Sequence, residues 1–231
     1  MGGRRRLLLG LAALGVGLLG LVLTETLAPG PLPATGAGWP GAWTHPLMTT
    51  MMGGPSVATA RPIGIEAAAQ AVQSYVTATG LPNLAVAEVM EFLNNYYAVV
   101  VERDTGRGAF ELLVDKSTGL VLPEFGPTVV WNTRYGPAGG WAGPTDPGAE
   151  MPIGPDQARA LAAQYLDSHG LRRDLEPPVR FYGYYTFHTL RGQETDGMLS
   201  VNGFTGEVWY HAWHGPFIQK REFPLTGPGT R

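Results

Sequence analysis

Five histidines and seven methionines are the soft ligands of a 231-residue chain that contains no cysteine. Two of the histidines fall in one aromatic stretch, Trp209-Tyr210-His211-Ala212-Trp213-His214-Gly215. Imidazoles three positions apart meet on one side only in a turn or a helix, because along a strand positions i and i+3 face opposite ways. Two imidazoles do not complete a transition-metal site. His188, on the run Tyr184-Tyr185-Thr186-Phe187-His188, supplies a third ligand if the two strands are neighbours. A second set, His45, Met48, Met51 and Met52, combines imidazole with thioether, which suits Cu(I). These are the candidate metal ligands, and copper is the candidate cofactor. The competing reading has no cofactor: histidines on an aromatic sheet face, and methionines gathered in a flexible segment. Tyr182, Tyr184, Trp209 and Trp213 form an aromatic set that could instead bind a peptide or partner protein, since aromatic side chains are enriched in interface cores.

Nucleophilic and acid–base chemistry is less well supported. The absence of cysteine removes disulfides, thiolate metal sites and a thiol nucleophile. Serines stand at 56, 74, 117, 168 and 200, none in a Gly-x-Ser-x-Gly elbow. There is no phosphate loop and no His-Glu-x-x-His. Glu88, Glu91, Glu102, Asp104, Glu111 and Asp115 are spread over strands and turns with nothing to select a pair, and exposed acids are expected there. The chain reads as a non-enzyme.

The N-terminus speaks to compartment. Arg4-Arg5-Arg6 precedes an apolar run from Leu7 to Leu23. Seventeen helical residues span about 26 Å, slightly short of a roughly 30 Å hydrocarbon core. Residues 1–27 therefore read as a signal-anchor helix or a cleaved signal peptide. A good small-x-small cleavage site is hard to find, which favours the anchor. The arginines hold that end in the cytoplasm and place the rest outside, as a single-pass membrane protein or, after cleavage, an exported one. Without residues 1–27 the chain has net charge −5 and no basic patch, which argues against nucleic acid as a partner.

Residues 28–61 form a Pro/Gly/Met linker. Beyond it one pattern occurs twice. Ile63-Gly64 and Ile153-Gly154 stand 90 positions apart, as do Tyr75 and Tyr165, and Gly80-Leu81 and Gly170-Leu171. Each pair brackets an amphipathic helix, over 66–79 with Ala67, Ala71, Val72, Tyr75 and Val76 inward, and over 155–168 with Ala158, Leu161, Ala162, Tyr165 and Leu166 inward. Strand-like runs follow each helix: 84–92, 96–102 and 109–114 in the first copy, 179–182, 184–190 and 197–201 in the second. Each series ends in one turn, Asp115-x-x-Thr118-Gly119 and Asn202-x-x-Thr205-Gly206, whose glycine takes the positive φ that other residues resist. The expected fold is α+β. It comprises two tandem repeats, 62–122 and 152–223, each one helix on an antiparallel sheet of about four strands, after the N-terminal hydrophobic helix. A Pro/Gly-rich connector, 123–151, joins them, and 224–231 is a tail.

A helix followed by antiparallel strands that end in Asp-x-x-Thr-Gly-x-Val is similar to the PepSY domain. The matching residues are Ala67–Val76 with Val114-Asp115…Thr118-Gly119-Leu120-Val121, and Ala158–Leu166 with Val201-Asn202…Thr205-Gly206-Glu207-Val208. Asn202 departs from the pattern by replacing the acid, and repeat one carries a long Glu88–Asn95 segment. The resemblance implies a non-catalytic, extracytoplasmic binding or regulatory module with an envelope protein or peptide as partner. The alternative is a periplasmic protein handling copper or another transition metal.

Overall fold

The structure, a computed structural model, describes residues 62–136 and 146–225. Helix α1 is Ile65–Ala78. It starts after Gly64, carries Glu66 in its first turn, where the helix dipole favours an acid, and buries Ala68, Ala69, Val72 and Val76. The expected face included Ala67, which is exposed. A run of alanines satisfies either helical phase, so the β-branched Val72 and Val76 decide which side turns in.

Strands β1 (Leu84–Phe92), β2 (Asn95–Glu102), β3 (Gly108–Asp115) and β4 (Val121–Pro123) follow, then a single helical turn, α2 (Pro127–Val130). Helix α3 (Pro155–Ser168) opens the second half, with proline and Asp156 in its first turn. It buries Ala158, Ala162 and Leu166 as expected. The remaining strands are β5 (Asp174–Leu175), β6 (Val179–Arg180), β7 (Tyr184–Arg191), β8 (Glu194–Asn202), β9 (Val208–Tyr210) and β10 (Phe217–Glu222).

The protein is α+β with two antiparallel sheets of about five strands each. The first has the order β10-β1-β2-β3-β4; in the second, β5 and β6 both flank β7, followed by β8 and β9. The expectation of about four strands per sheet misses β10. That strand leaves the second half of the chain and pairs with β1, Glu88 opposite Glu222 and Glu91 opposite Gln219. Its charged residues, Lys220 and Arg221 among them, suit an edge strand, where charge discourages further pairing.

The alternation of side chains along each strand sets the layers. In β2, Tyr96, Ala98 and Val100 pack under α1, while Tyr97, Val99 and Val101 face the other way. In β7 and β8, Tyr185, Phe187, Leu199 and Val201 pack under α3, while Tyr184 and Met198 meet the first sheet. The order is therefore helix, sheet, sheet, helix, with three cores.

The two Thr-Gly turns share their backbone-amide bonds, and Asp115 Oδ1 also accepts the Ser117 and Thr118 hydroxyls (2.6 and 2.8 Å). The amides of Ser117 and Thr118 donate to Asp115 Oδ1 (3.0 and 2.8 Å), and those of Phe204 and Thr205 to Asn202 Oδ1 (2.8 and 3.1 Å). Gly119 N–H donates to Asp115 O and Gly206 N–H to Asn202 O, both at 2.9 Å, with φ of +72° and +78°. Each turn also ties down the residue that precedes its helix: Ile63 N–H donates to Lys116 O (2.9 Å) and Ile153 N–H to Gly203 O (3.1 Å). An amide oxygen does what a carboxylate does here, so Asn202 preserves the turn.

Among the described residues no helix is long and apolar enough to cross a membrane. The expected N-terminal helix, 1–27, and the linker with His45, Met48, Met51 and Met52 lie outside the described residues.

Candidate functional site

The middle core is not purely apolar. A seam of polar side chains runs through it: Asn95, Glu111, Glu124, Thr128, Thr186, Ser200, His211 and His214 are all buried. Charged groups are almost never fully buried unless they are paired, so each needs a partner.

Glu111 sits at the centre of the seam. Val99 stands opposite it on β2, which fixes its direction towards the second sheet. Its Oε1 accepts hydrogen bonds from Tyr97 (2.6 Å) and Thr186 (2.8 Å), and its Oε2 from Tyr184 (2.7 Å) and Thr128 (3.0 Å). These donors come from β2, β7 and α2, so one carboxylate stitches both sheets to the connector. Burial, and then the nearby Glu124 charge, push the Glu111 carboxyl up to about 7. Burial also pushes the Tyr97 and Tyr184 hydroxyls well above their ordinary value, so both remain donors. The expectation that the β-strand carboxylates are exposed is corrected here: Glu88, Glu102, Glu111 and Asp115 are all buried.

The second part of the seam is a turn. Strand β9 stops at Tyr210, and 211–215 bends back towards β1. The His-x-x-His pair therefore converges as only a turn allows. His211 Nδ1 lies 3.1 Å from Glu124 Oε1, and His214 Nε2 lies 3.0 Å from the same oxygen. These three groups bring their ligand atoms within 4.8 Å of one another. The outer nitrogens are also held: His211 Nε2 is 3.0 Å from Ser200 Oγ, and His214 Nδ1 is 2.8 Å from Asn95 Oδ1. Trp213 stacks on His211 and Phe92 on His214, each at 4.7 Å between ring centres. Burial pushes His211 down to about 4, lowers His214 and raises Glu124.

His188 is not part of this group. Its Nδ1 lies 3.0 Å from Glu176 Oε2 and its Nε2 3.1 Å from Glu88 Oε1, a carboxylate on each side. Burial alone would lower its pKa; the bonds and charges of Glu176 and Glu88 outweigh burial and raise it to about 9. With a carboxylate against each ring nitrogen, His188 does not converge with His211 and His214. Glu124 takes its place.

The structure divides the aromatic set. Tyr184 is fully buried with its hydroxyl on Glu111. Trp209 and Trp213 pack in the middle core, Trp209 edge-on to Trp131 at 5.6 Å. Both are half-buried, with their packed faces joining the molecule's own sheets. Tyr182 lines a cleft, and its hydroxyl donates to Glu102 Oε1 (2.8 Å) beneath the stacked Arg107 guanidinium. That cleft, of about 820 Å³, also contains His188, Val101, Arg180 and Lys220. Neither Glu111 nor Glu124 lines it.

Sequence reasoning missed Glu124 and passed over Glu111. Glu124 opens a connector read as irregular, yet it is a lone acid in the apolar run Val121-Leu122-Pro123-Glu124-Phe125. Glu111 likewise interrupts Ala109-Phe110-Glu111-Leu112-Leu113-Val114. An acid inside an apolar run was the available signal.

No protein-family model matches the sequence, and no curated protein matches it. Among solved structures it is similar to the Bacillus megaterium YpeB C-terminal domain, at 12% identity and a TM-score of 0.22. The match covers 64% of this chain and 62% of that one, under two thirds of its length. A score that low does not establish a common fold.

Proposed function

We propose that the chain is a non-catalytic, extracytoplasmic binding or regulatory protein, built from two PepSY-like modules and tethered to the membrane by its N-terminal segment. The observation that carries this reading is where the acid–base groups go. Glu111 and its four hydroxyl donors bond one another across the seam, away from the main cleft. A general acid or base must reach its substrate. The two-module reading is supported by the matching turn bonds at Asp115 and Asn202, and the tether by the basic and apolar N-terminal sequence.

The surface left for a partner is the cleft between the sheets. Val99, Val101 and Val179 give it apolar lining, and Arg107, Arg180 and Lys220 add positive charge. That combination suits an extended peptide segment bearing acidic side chains, with apolar contact for affinity and charge for orientation. The test places a photo-crosslinking amino acid at Arg180 or Lys220 of the full-length chain in its own envelope, with Gln164 on α3 as control. A discrete adduct with a second polypeptide is expected from the two cleft positions and not from Gln164. No cleft adduct, or identical adducts from all three positions, contradicts the reading.

A further inference from the structure

Two buried side-chain atoms that lack a hydrogen-bond partner meet at one corner of the seam, Glu124 Oε2 and His214 Nε2, and the Trp213 indole N–H is directed at the same carboxylate. An unpaired buried polar atom costs about 1–3 kcal/mol, so two of them together call for a cause.

The hydrogen bonds around the corner assign its protons. The Thr186 hydroxyl donates to Glu111 Oε1 (2.8 Å). The Thr186–Ser200 contact (2.8 Å) must then use the Ser200 proton. Ser200 is left to accept, so His211 Nε2 carries the hydrogen directed at it (3.0 Å). Asn95 Oδ1 likewise accepts from His214 Nδ1 (2.8 Å). A neutral imidazole has one donor and one acceptor nitrogen. The acceptor nitrogens are thus His211 Nδ1 and His214 Nε2, and both face Glu124 Oε1, at 3.1 and 3.0 Å. His211 Nδ1, His214 Nε2 and the Glu124 carboxylate thus bring three lone-pair donors together. One proton can bridge the carboxylate to one nitrogen but not to both.

The geometry points to a buried site for a divalent transition-metal ion held by Glu124, His211 and His214, with zinc the ion that suits it best. This goes beyond the binding reading and does not depend on it. Around tetrahedral zinc with bonds of about 2.0–2.1 Å, ligand atoms stand about 3.3–3.4 Å apart. The contacts here are only a few tenths of an ångström shorter, and both ligand segments lie outside the strands. The outer shell is built: ligating histidines ordinarily give their second N–H to an oxygen, as these do to Ser200 and Asn95. The carboxylate ligand favours a divalent ion over Cu(I), which prefers thioether and thiolate.

The test titrates the full-length protein with Co2+ as a spectroscopic probe and with Zn2+ in competition. One equivalent is expected to bind, with the d–d absorption of a four- or five-coordinate ion, and zinc should raise Tm. Glu124→Gln and His214→Gln should weaken binding by at least about 100-fold, and Ser200→Ala by roughly 10–100-fold. Ser200→Ala removes no ligand, so it remains informative if a ligand variant fails to fold. A folded wild-type chain with no cobalt spectrum and no zinc-dependent Tm overturns the proposal. So does binding that survives Glu124→Gln and Ser200→Ala, or that is lost only when His45, Met48, Met51 and Met52 are replaced.

Discussion

Glu111 accepts four hydroxyl hydrogen bonds from three elements, so its removal is felt on both sides of the seam. Glu111→Ala leaves those donors buried without an acceptor, and a loss of about 3 kcal/mol or more is expected in urea unfolding. Tyr184→Phe removes one of the donors and should cost about 1–2 kcal/mol by the same measurement. The turn glycines give a graded comparison. A Cβ at Gly119 would meet Ile63 at 3.5 Å, an ordinary contact, whereas at Gly206 it would meet Leu161 at 3.1 Å and Ile153 at 3.3 Å. Both positions have positive φ, so Gly→Ala should cost about 1–2 kcal/mol at either, and more at Gly206. These glycines were legible in the sequence because their requirement is local. The seam carboxylates were not, because their partners lie far away in sequence: Tyr184 and Thr186 stand 73 and 75 positions from Glu111.

Strand β10 binds the end of the second half to the first sheet, and Phe217 packs edge-on to Phe92 at 5.8 Å. Deleting 217–231 bares the β1 edge, and a bare edge pairs with other chains. The truncated protein should be less stable and should self-associate in size-exclusion chromatography. The clamp around His188 is likewise an assembly of elements. His188 on β7 faces Glu88 on β1 and Glu176 before β6, with Lys220 on β10 near both acids and His211 close enough to feel its charge. Its folded pKa, about 9, lies above its unfolded value near 6.5. The stability it contributes is therefore full below pH 6.5 and is lost as pH rises through 9. That loss should be roughly 3 kcal/mol. Unfolding free energies measured across pH 6–10 should show it, and His188→Gln should flatten the curve. Helices α1 and α3 and most long strands were legible from periodicity. Strand β10 was not, since Gln219-Lys220-Arg221-Glu222 has too little apolar character to suggest a strand until β1 supplies its partner.

The described residues form a helix–sheet–sheet–helix stack whose halves share the middle core. The repeated turn suggested separate domains, because a repeat reports each half and says nothing of how the halves meet. The face of each sheet turned away from its helix carries Tyr97 and Glu111 on one side and Tyr184 and Thr186 on the other, and only their pairing explains them. The central claim is that this seam makes the two sheets a single cooperative body. Native-state hydrogen exchange tests it most directly, comparing peptides from 95–115 with peptides from 184–202 in the wild type and in Glu111→Gln. The account predicts one opening free energy for the most protected amides of both sheets, lowered by the same amount in both by the substitution. Separate opening energies, or a loss of protection confined to the first sheet, would contradict it.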